Sequence, residues 1–299
     1  MTDYHNPVML EPCLEALQVM PNGKYIDVTF GGGGHSKAIL EKLNEKGKLL
    51  IFDRDDDAFA NQIKDKRVVA ANHNYRFLYR FARYFEMLEA DGLIADLGIS
   101  SYQIDEASRG FAHRFDSELD MRMNRKETKN AKTILNTYNK DELIRIFKTY
   151  AEINRAPAVA DAIIRTRSID EVKTTGQLKT ILSPFAKRGE ENKFYSQIFQ
   201  ALRIEVNDEL ESLKQMLLQC HEVLKAGGRL VVMSYHSLED RLVKNYFNSG
   251  NFEGKLDKDL YGNIKKPFKA IGKMQTADET ELSNNSRARS AKLRIAEKT

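Results

Sequence analysis

Apolar runs and amphipathic segments alternate along the first third of the chain. Lys48–Phe52 is almost entirely apolar, as a parallel strand buried on both faces requires. The segment before it carries apolar residues at helical spacing, at Ala38, Ile39 and Leu43. The strands predicted in this way are Lys24–Phe30, Lys48–Phe52, Arg67–Ala71 and Gly92–Ala95, and the helices are His35–Glu45, Asp56–Ile63 and Phe77–Leu88. Strands that alternate with helices at this spacing predict an α/β fold with a doubly wound sheet.

The alternation stops near Gln103, and the pattern is then helical as far as Asn207. The helices predicted here and just beyond are Asp141–Tyr150, Ala156–Thr166, Gly176–Phe185 and Asn207–Leu224. Strand character returns at Arg229–Met233, Pro267–Ile271 and Ala291–Ile295. This order predicts an all-helical domain inserted into the α/β domain. We expect the α/β domain to cover 1–104 and 207–299, with the insertion over 105–206.

Composition narrows the class of protein. The 299 residues are 41% hydrophobic, enough for a globular core, and the net charge of +4 only weakly favours an anionic partner. Cys13 and Cys220 are far apart, so we expect no disulfide framework, and no metal site is predicted. The N-terminal residues lack an apolar signal core, and no apolar run approaches the about 20 residues that span a bilayer. We expect a cytoplasmic protein with no membrane partner.

The first predicted strand leads into four consecutive glycines, Gly31–Gly34. Glycines let the backbone approach a ligand closely, and an acidic residue after the second strand accepts hydrogen bonds from ribose hydroxyls. Asp53 occupies that place, about 20 residues beyond the turn. The arrangement predicts a site for a nucleoside-bearing cofactor. The alternative is a plain strand-to-helix turn with Asp53 as a helix cap. Asp27, at the end of the first strand, also has alternative roles. It orients the glycine turn or attracts the amino group of a cofactor, or it only caps the local turn.

The residues after the turn limit which cofactor it takes. A phosphate-binding loop needs Gly-Lys-Ser/Thr, and the chain has Gly34, His35 and Ser36, which disfavours a nucleotide triphosphatase. The four glycines also fit G-x-G-x-x-G poorly, which disfavours a nicotinamide enzyme. S-adenosylmethionine has no phosphate and needs close approach of the backbone, so it stays open.

Longer blocks of sequence resemble the ribosomal RNA small subunit methyltransferase H family, in collinear order across nearly the whole chain. The blocks are Asp27–Ser36, Phe52–Asp55, Asp96–Gln103, Arg109–Phe111, Leu119–Met123, Phe199–Ile204, Ser234–Arg241 and Arg289–Arg294. The resemblance implies a Rossmann-like methyltransferase sheet with an inserted helical domain that recognises RNA. It also implies methyl transfer from S-adenosylmethionine to the exocyclic N4 of a cytidine in the decoding region of small-subunit (16S) rRNA.

The resemblance further implies which residues contact S-adenosylmethionine. Carried over position by position, they are Gly33, Gly34, His35, Asp53, Tyr75, Asp96 and Gln103. Tyr75 stands where the family has Phe, which keeps a ring for adenine and adds a hydroxyl that needs a partner; Phe77 is the fallback. Two further departures are Gly32, where a larger residue is common, and Tyr195–Ile198, which lacks the family's basic residue. Lys193 is a candidate replacement.

Methyl transfer to cytosine N4 is difficult because the lone pair of that amine is delocalised into the ring. A site has to hold the amine about 3 Å from the methyl group and offer acceptors to its hydrogens. DNA amino-methyltransferases use a Pro-Pro loop after the fourth strand, and the matching loop here, Asp96–Ser101, has no proline. We therefore name the carbonyls and hydroxyls of this loop, with Ser234 and His236, as catalytic candidates. Three roles stay open for His236. It accepts the proton after methyl transfer, it holds the base, or it only precedes a helix whose capping box is formed by Ser237 and Asp240.

The expected partner is small-subunit rRNA or the assembled small subunit, and a homodimer stays open. Two basic clusters are candidate phosphate contacts, with a solvated strand edge as the alternative. They are Arg287, Arg289, Lys292 and Arg294, and Lys265, Lys266 and Lys269. Two other functions also stay open. One is a methyltransferase of the same fold with another RNA or a protein substrate, and the other is a non-catalytic RNA-binding assembly factor.

Overall fold

A computed structural model describes residues 7–256 and 266–299 of the chain. The chain forms two compact units. The first contains the segment up to Gly98 and the segment Leu210–Thr299, and the second is Ile99–Glu209. The second unit thus includes the predicted insertion and begins a few residues before it. Across the described residues, every helix is too short or too polar to cross a bilayer.

The described part of the first unit contains a seven-stranded sheet. Its strands are β1 (Lys24–Asp27), β2 (Lys48–Phe52), β3 (Val68–Ala71), β4 (Ala90–Asp96), β5 (Leu224–Ser234), β6 (Phe268–Ala270) and β7 (Lys292–Lys298). Their order across the sheet is β3-β2-β1-β4-β5-β7-β6. The pairs from β3 to β5 are parallel, and β7 is antiparallel to both of its neighbours. The predicted Rossmann-like α/β fold is confirmed.

Four helices precede the second unit in the described part of the chain. They are α1 (Leu10–Leu17), α2 (Gly34–Lys42), α3 (Asp56–Phe59) and α4 (Leu78–Tyr84). A 3-10 turn, Tyr75–Phe77, leads directly into α4. The prediction that α3 extends to Ile63 was wrong. None of the residues of α3 is buried, so no packing stabilises a longer helix.

The second unit is helical, and all of its residues are described. Its helices are α5 (Ser101–Asp105), α6 (Ala131–Thr137), α7 (Lys140–Thr149), α8 (Ala156–Arg167), α9 (Thr175–Leu182) and α10 (Glu191–Asn207). They enclose an apolar core of their own, in which Leu143, Phe147 and Ile198 are fully buried. An isolated bridge between Glu118 and Thr174 is its only β-type pairing.

The chain re-enters the first unit through α11 (Glu209–Val223) and continues with α12 (Ser237–Ser249) and α13 (Glu279–Asn284). Side chains alternate between the two faces of the sheet, and each face has its own core. Leu50 and Leu93 are buried with residues of α4, α11 and α12, and Leu49 and Ile94 with residues of α1 and α2. Since helices cover both faces, we expect ligands beyond the carboxyl ends of the strands.

Candidate active site

Three carboxylates lie at the carboxyl ends of three neighbouring strands. Asp27 ends β1, Asp53 directly follows β2, and Asp96 ends β4. Because β1 pairs in parallel with both β2 and β4, these residues share one edge of the sheet. The direction of strand addition reverses between β1 and β4, which is where open α/β sheets bind ligands. The structure thus brings two predicted cofactor contacts, Asp53 and Asp96, to one edge.

The glycine turn between β1 and α2 is held to this edge through its backbone. The N–H of Phe30 donates to the carbonyl of Phe52 at 2.8 Å, and the N–H of Gly33 donates to the carbonyl of Phe30 at 2.7 Å. Gly33 has a φ of 77°, and a Cβ there would lie 2.7 Å from the Phe30 ring. A Cβ on Gly34 would lie 2.8 Å from Cγ of Pro7. Both predicted contacts are therefore positions that favour glycine for steric reasons.

The ring of His35 contacts the chain itself. Its Nε2 lies 3.1 Å from the carbonyl oxygen of Val8, and the residue is buried. His35 is also the second residue of α2, and the first N–H groups of a helix have no acceptor within it. A ligand at this edge would therefore meet the backbone N–H of His35. The positive end of the helix favours an anionic group there.

Asp53 links the strand edge to the glycine turn. Its Oδ2 accepts from the N–H of Gly31 and its Oδ1 from the N–H of Asp55, each at 2.8 Å. Asp55, and not Asp53, is the N-cap of α3, so the alternative of a helix-capping Asp53 is wrong. Burial raises the pKa of Asp53 to about 6.

Asp27 is buried and organises the turn. Its Oδ2 accepts from the Ser36 hydroxyl at 2.6 Å, and its Oδ1 accepts from the N–H of Thr29 at 3.0 Å. Burial raises the pKa of Asp27, although these hydrogen bonds oppose the change. Of the roles considered for Asp27, the bond from Ser36 supports orientation of the turn and the bond from Thr29 is a local cap, whereas attraction of a cofactor amino group stays a prediction.

A tyrosine that was not among the predicted residues contacts Asp96. The hydroxyl of Tyr235 donates to Oδ1 of Asp96 at 2.6 Å, and the N–H of Asp96 donates to the hydroxyl of Thr29 at 2.7 Å. Burial raises the pKa of Asp96 to about 6. Burial and the Asp96 charge raise the pKa of Tyr235. Its position directly after β5, the neighbour of β4, was the available signal.

His236 is the N-cap of α12, and Ser234 is the buried last residue of β5. The Nδ1 of His236 accepts from the N–H of Glu239 at 3.4 Å, so the neutral ring carries its proton on Nε2. That atom lies 3.2 Å from Oε1 of Glu239 without the alignment of a hydrogen bond. The predicted cap by Ser237 with Asp240 was wrong, because α12 begins one residue earlier.

The remaining predicted contacts lie in both units. Tyr75 begins the 3-10 turn after β3 and is half-buried against the core of the first unit. The fallback, Phe77, is 44% exposed. Gln103 lies in α5 of the second unit, where its side chain accepts from the N–H of Ser100 at 3.1 Å in a capping box. A cofactor contact by Tyr75 or Gln103 stays a prediction.

Lys292 and Arg294 of the predicted basic clusters form ion pairs within the protein. Arg294 donates to Oδ1 of Asp240 at 2.7 Å, and Nζ of Lys292 lies 3.5 Å from Oδ2 of the same residue. Arg289 is exposed, and Lys265 lies outside the described residues. Ion pairing within the protein makes Lys292 and Arg294 weaker candidates for phosphate contacts.

Sequence similarity to a family model and to full-length relatives gives one consistent result. A model of the MraW methylase family matches residues 2–299. The ribosomal RNA small subunit methyltransferase H of Amoebophilus asiaticus is 52% identical over 299 residues, covering 99% of this chain and 96% of that one. The protein of the same name from Flavobacterium johnsoniae is 50% identical over 296 residues, covering 99% and 98%. A solved structure of an rRNA methylase from Streptococcus thermophilus is 11% identical, with a TM-score of 0.43 over 98% of this chain and 97% of that one.

Proposed function

Because the chain belongs to the MraW methylase family and is an S-adenosylmethionine-dependent rRNA methyltransferase, we propose that it methylates the N4 of a cytidine in the decoding region of small-subunit rRNA. The names of the relatives support the choice of the small subunit. The observation that carries the proposed site is the edge where the glycine turn, Asp53 and Asp96 meet at the ends of adjacent strands.

We assign the cofactor to this edge because the residues present fit it. S-adenosylmethionine supplies a methyl group that is electrophilic because it is bonded to a sulfonium. Gly33 and Gly34 have no side chains, so the cofactor can approach the backbone of the turn closely. The first N–H groups of α2 can donate hydrogen bonds to the carboxylate of the cofactor. Asp53 has further lone pairs for ribose hydroxyls beyond its two backbone bonds. Tyr75 is assigned to the adenine, and Gln103 to a further contact.

We assign Asp96 to an amino group of the cofactor. Tyr235 donates to Oδ1 and holds the carboxylate in place, whereas Oδ2 has no hydrogen bond to any residue that the structure describes. With a pKa of about 6, the carboxylate of Asp96 is mostly ionised at neutral pH and accepts from an N–H donor.

We assign His236 to holding the base and not to accepting the proton. Its Nδ1 is used at the start of α12 and its Nε2 carries the proton, so the neutral ring offers no free lone pair. The side chain is only 8% exposed and its Nε2 lies 3.2 Å from Oε1 of Glu239, so holding a base requires one of these side chains to shift until the N–H meets an acceptor such as the carbonyl oxygen of a cytosine. Ser234 and the carbonyls after β4 stay the candidate acceptors for the amine hydrogens.

The partner in this proposal is the small ribosomal subunit or its free rRNA, with the second unit in RNA recognition and the reaction in the cytoplasm. The test incubates the enzyme and labelled S-adenosylmethionine with one of three substrates. They are small ribosomal subunits from cells that lack the enzyme, the rRNA extracted from those subunits, and their proteins. We expect label in rRNA alone and N4-methylcytidine on nucleoside analysis. Label in protein, or in another nucleoside, would contradict the proposal. Asp53→Ala should lose cofactor binding in calorimetry, and Lys46→Ala should retain it.

A further inference from the structure

The outward side of α4 and the turn before it carries aromatic rings and arginines together. Phe77 is 44% exposed and Tyr84 is 77% exposed, and Arg80 and Arg83 are exposed as well. Arg80, Arg83 and Tyr84 are spaced i, i+3 and i+4 in α4, which places them along one side of the helix, and Phe77 is the residue directly before it. We call these four residues the α4 face.

The opposite side of α4 is fixed by packing. Leu78 and Ala82 are fully buried in a core of the sheet. Gln219 of α11 donates to the carbonyl of Arg76 at 2.7 Å and accepts from the N–H of Tyr79 at 2.8 Å. The α4 face is therefore presented by an ordered helix.

The two arginines of the α4 face have no side-chain partner among the residues that the structure describes. Arg80 and Arg83 make no ion pair or hydrogen bond with residues 7–256 or 266–299 through their side chains. Lys292 and Arg294, by contrast, are paired with Asp240. Single-stranded nucleic acids bind where cations meet phosphates and exposed rings stack on bases.

We propose that the α4 face binds unpaired nucleotides of the rRNA next to the target nucleotide. This inference rests on the proposed function, because it takes RNA as the substrate. α4 follows β3, whose carboxyl end lies at the same sheet edge as Asp53. Phe81 packs edge-on against Phe52, the residue before Asp53, with ring centroids 5.8 Å apart. Tyr84 lies about 10 Å along the helix from Phe77. An RNA strand that extends from the target nucleotide along α4 would therefore pass over both rings.

A second copy of the chain fits this face less well. In a two-fold contact the same patch meets itself, which would bring the arginines of both copies together. The segment from Phe77 to Tyr84 contains no acidic residue that would neutralise them. The phosphates of RNA provide that charge.

The experiment measures binding of a fluorescent single-stranded RNA oligonucleotide by anisotropy, with the same sequence as a duplex for comparison. We expect Tyr84→Ala to weaken single-strand binding about fivefold to hundredfold, with much less effect on the duplex, whose bases are already stacked. Tyr84→Phe should retain the affinity. Arg80→Ala and Arg83→Ala should each reduce the salt dependence of log affinity by about 0.7.

The matched control removes two exposed lysines from the opposite side of the first unit. Lys42→Ala with Lys46→Ala should leave both the affinity and the salt dependence unchanged. Unchanged affinity for S-adenosylmethionine in Tyr84→Ala shows that the fold is intact.

Methyl transfer by the unsubstituted protein separates this inference from the proposed function. If that protein methylates rRNA while Tyr84→Ala and Arg80→Ala bind RNA as it does, the α4 face is excluded and the function stands. If it methylates no rRNA, the proposed function fails, and this inference fails with it. Altered sedimentation of Tyr84→Ala with unaltered RNA binding would identify a protein interface and overturn the inference.

Discussion

Single residues in the candidate site hold negative charge where burial disfavours it. Asp53 and Asp96 both have pKa values raised to about 6, and each is held by donors from the chain. A ligand that donates hydrogen bonds to these carboxylates stabilises their ionised forms. Ligand binding and ionisation are therefore coupled.

The raised pKa of Asp96 predicts a stability that depends on pH. The folded protein binds this proton more tightly than the unfolded chain does. The contribution to stability is therefore present below about pH 4 and is lost as the pH rises through about 6. We expect Asp96→Asn to increase the free energy of unfolding by about 1–3 kcal/mol at about pH 8, and by much less at about pH 4. Urea unfolding measures both; an equal change at the two pH values would exclude this account.

Alanine at Gly33 should be more destabilising than alanine at Gly227, another glycine with a positive φ, because of the two only Gly33 would bring the added Cβ into a clash with a neighbouring side chain. Gly33→Ala combines a φ of 77° with a Cβ 2.7 Å from the Phe30 ring, so we expect a loss of about 1–3 kcal/mol in the free energy of unfolding and weaker cofactor binding. Gly227 has a φ of 75° but open space around its Cβ position. Gly227→Ala should therefore cost less and leave cofactor affinity unchanged. Equal effects of the two variants on both measurements would count against a ligand-contacting turn.

His236 predicts a split between KM and kcat. Asn also caps helices, so His236→Asn should preserve α12 while removing the Nε2 donor. We expect KM for rRNA to rise about tenfold, with a smaller change in kcat and an unchanged pH profile. Steady-state kinetics across pH provide the measurement. A large loss of kcat at constant KM would instead indicate a proton acceptor.

Secondary-structure elements were predictable where their burial is simple. β2 was predicted with its observed bounds, Lys48–Phe52, because a strand covered on both faces is apolar at nearly every position. α10, the longest helix that the structure describes, was not predicted. Its buried residues Tyr195, Ile198, Phe199, Leu202 and Val206 recur at helical spacing, so the signal for this helix was present in the sequence and was missed.

The candidate site was predictable to the same degree. The glycine turn and Asp53 follow from local spacing and from the resemblance. The contact between Tyr235 and Asp96 depends on the pairing of β4 with β5, which are separated in sequence by the second unit. The cap by His236 depends on where α12 begins, a boundary that sequence patterns define poorly.

The connection between α12 and β7 gives a prediction at this scale. Burial would raise the pKa of Asp240, but the hydrogen bond and charge of Arg294, with Lys292, lower it overall. The ionised Asp240 therefore contributes to the stability of the folded protein. This contribution is present above the pKa of Asp240 in the unfolded chain and is lost as the pH falls through the lower pKa of the folded protein. We expect Asp240→Asn to lower the free energy of unfolding by about 1–2 kcal/mol at neutral pH, and by less in acid.

Urea unfolding at the two pH values measures this change. Glu45→Gln, which removes an exposed ion pair with Lys66, is the control and should have no measurable effect. An equally small effect of Asp240→Asn would show that the link between α12 and β7 does not stabilise the sheet.

At the scale of the whole molecule, the two units have separate apolar cores. Phe147→Ala empties part of the core of the second unit, so we expect it to lose about 3–5 kcal/mol of stability. In calorimetry, S-adenosylmethionine should mainly shift the transition of the first unit. Leu50→Ala should lower that transition instead. A single transition that responds equally to both substitutions would contradict separate cores.

The position of β7 has a consequence for biosynthesis. β7 follows every other described strand along the chain, yet it lies between β5 and β6 in the sheet. A nascent chain therefore exposes one edge of β5 until β7 has emerged, and an unpaired edge is a template for association with other chains. The second unit is continuous in sequence and can fold while the first is still incomplete. Translation should thus complete the helical unit before the sheet, and chaperone protection is most needed in the interval between β5 and β7.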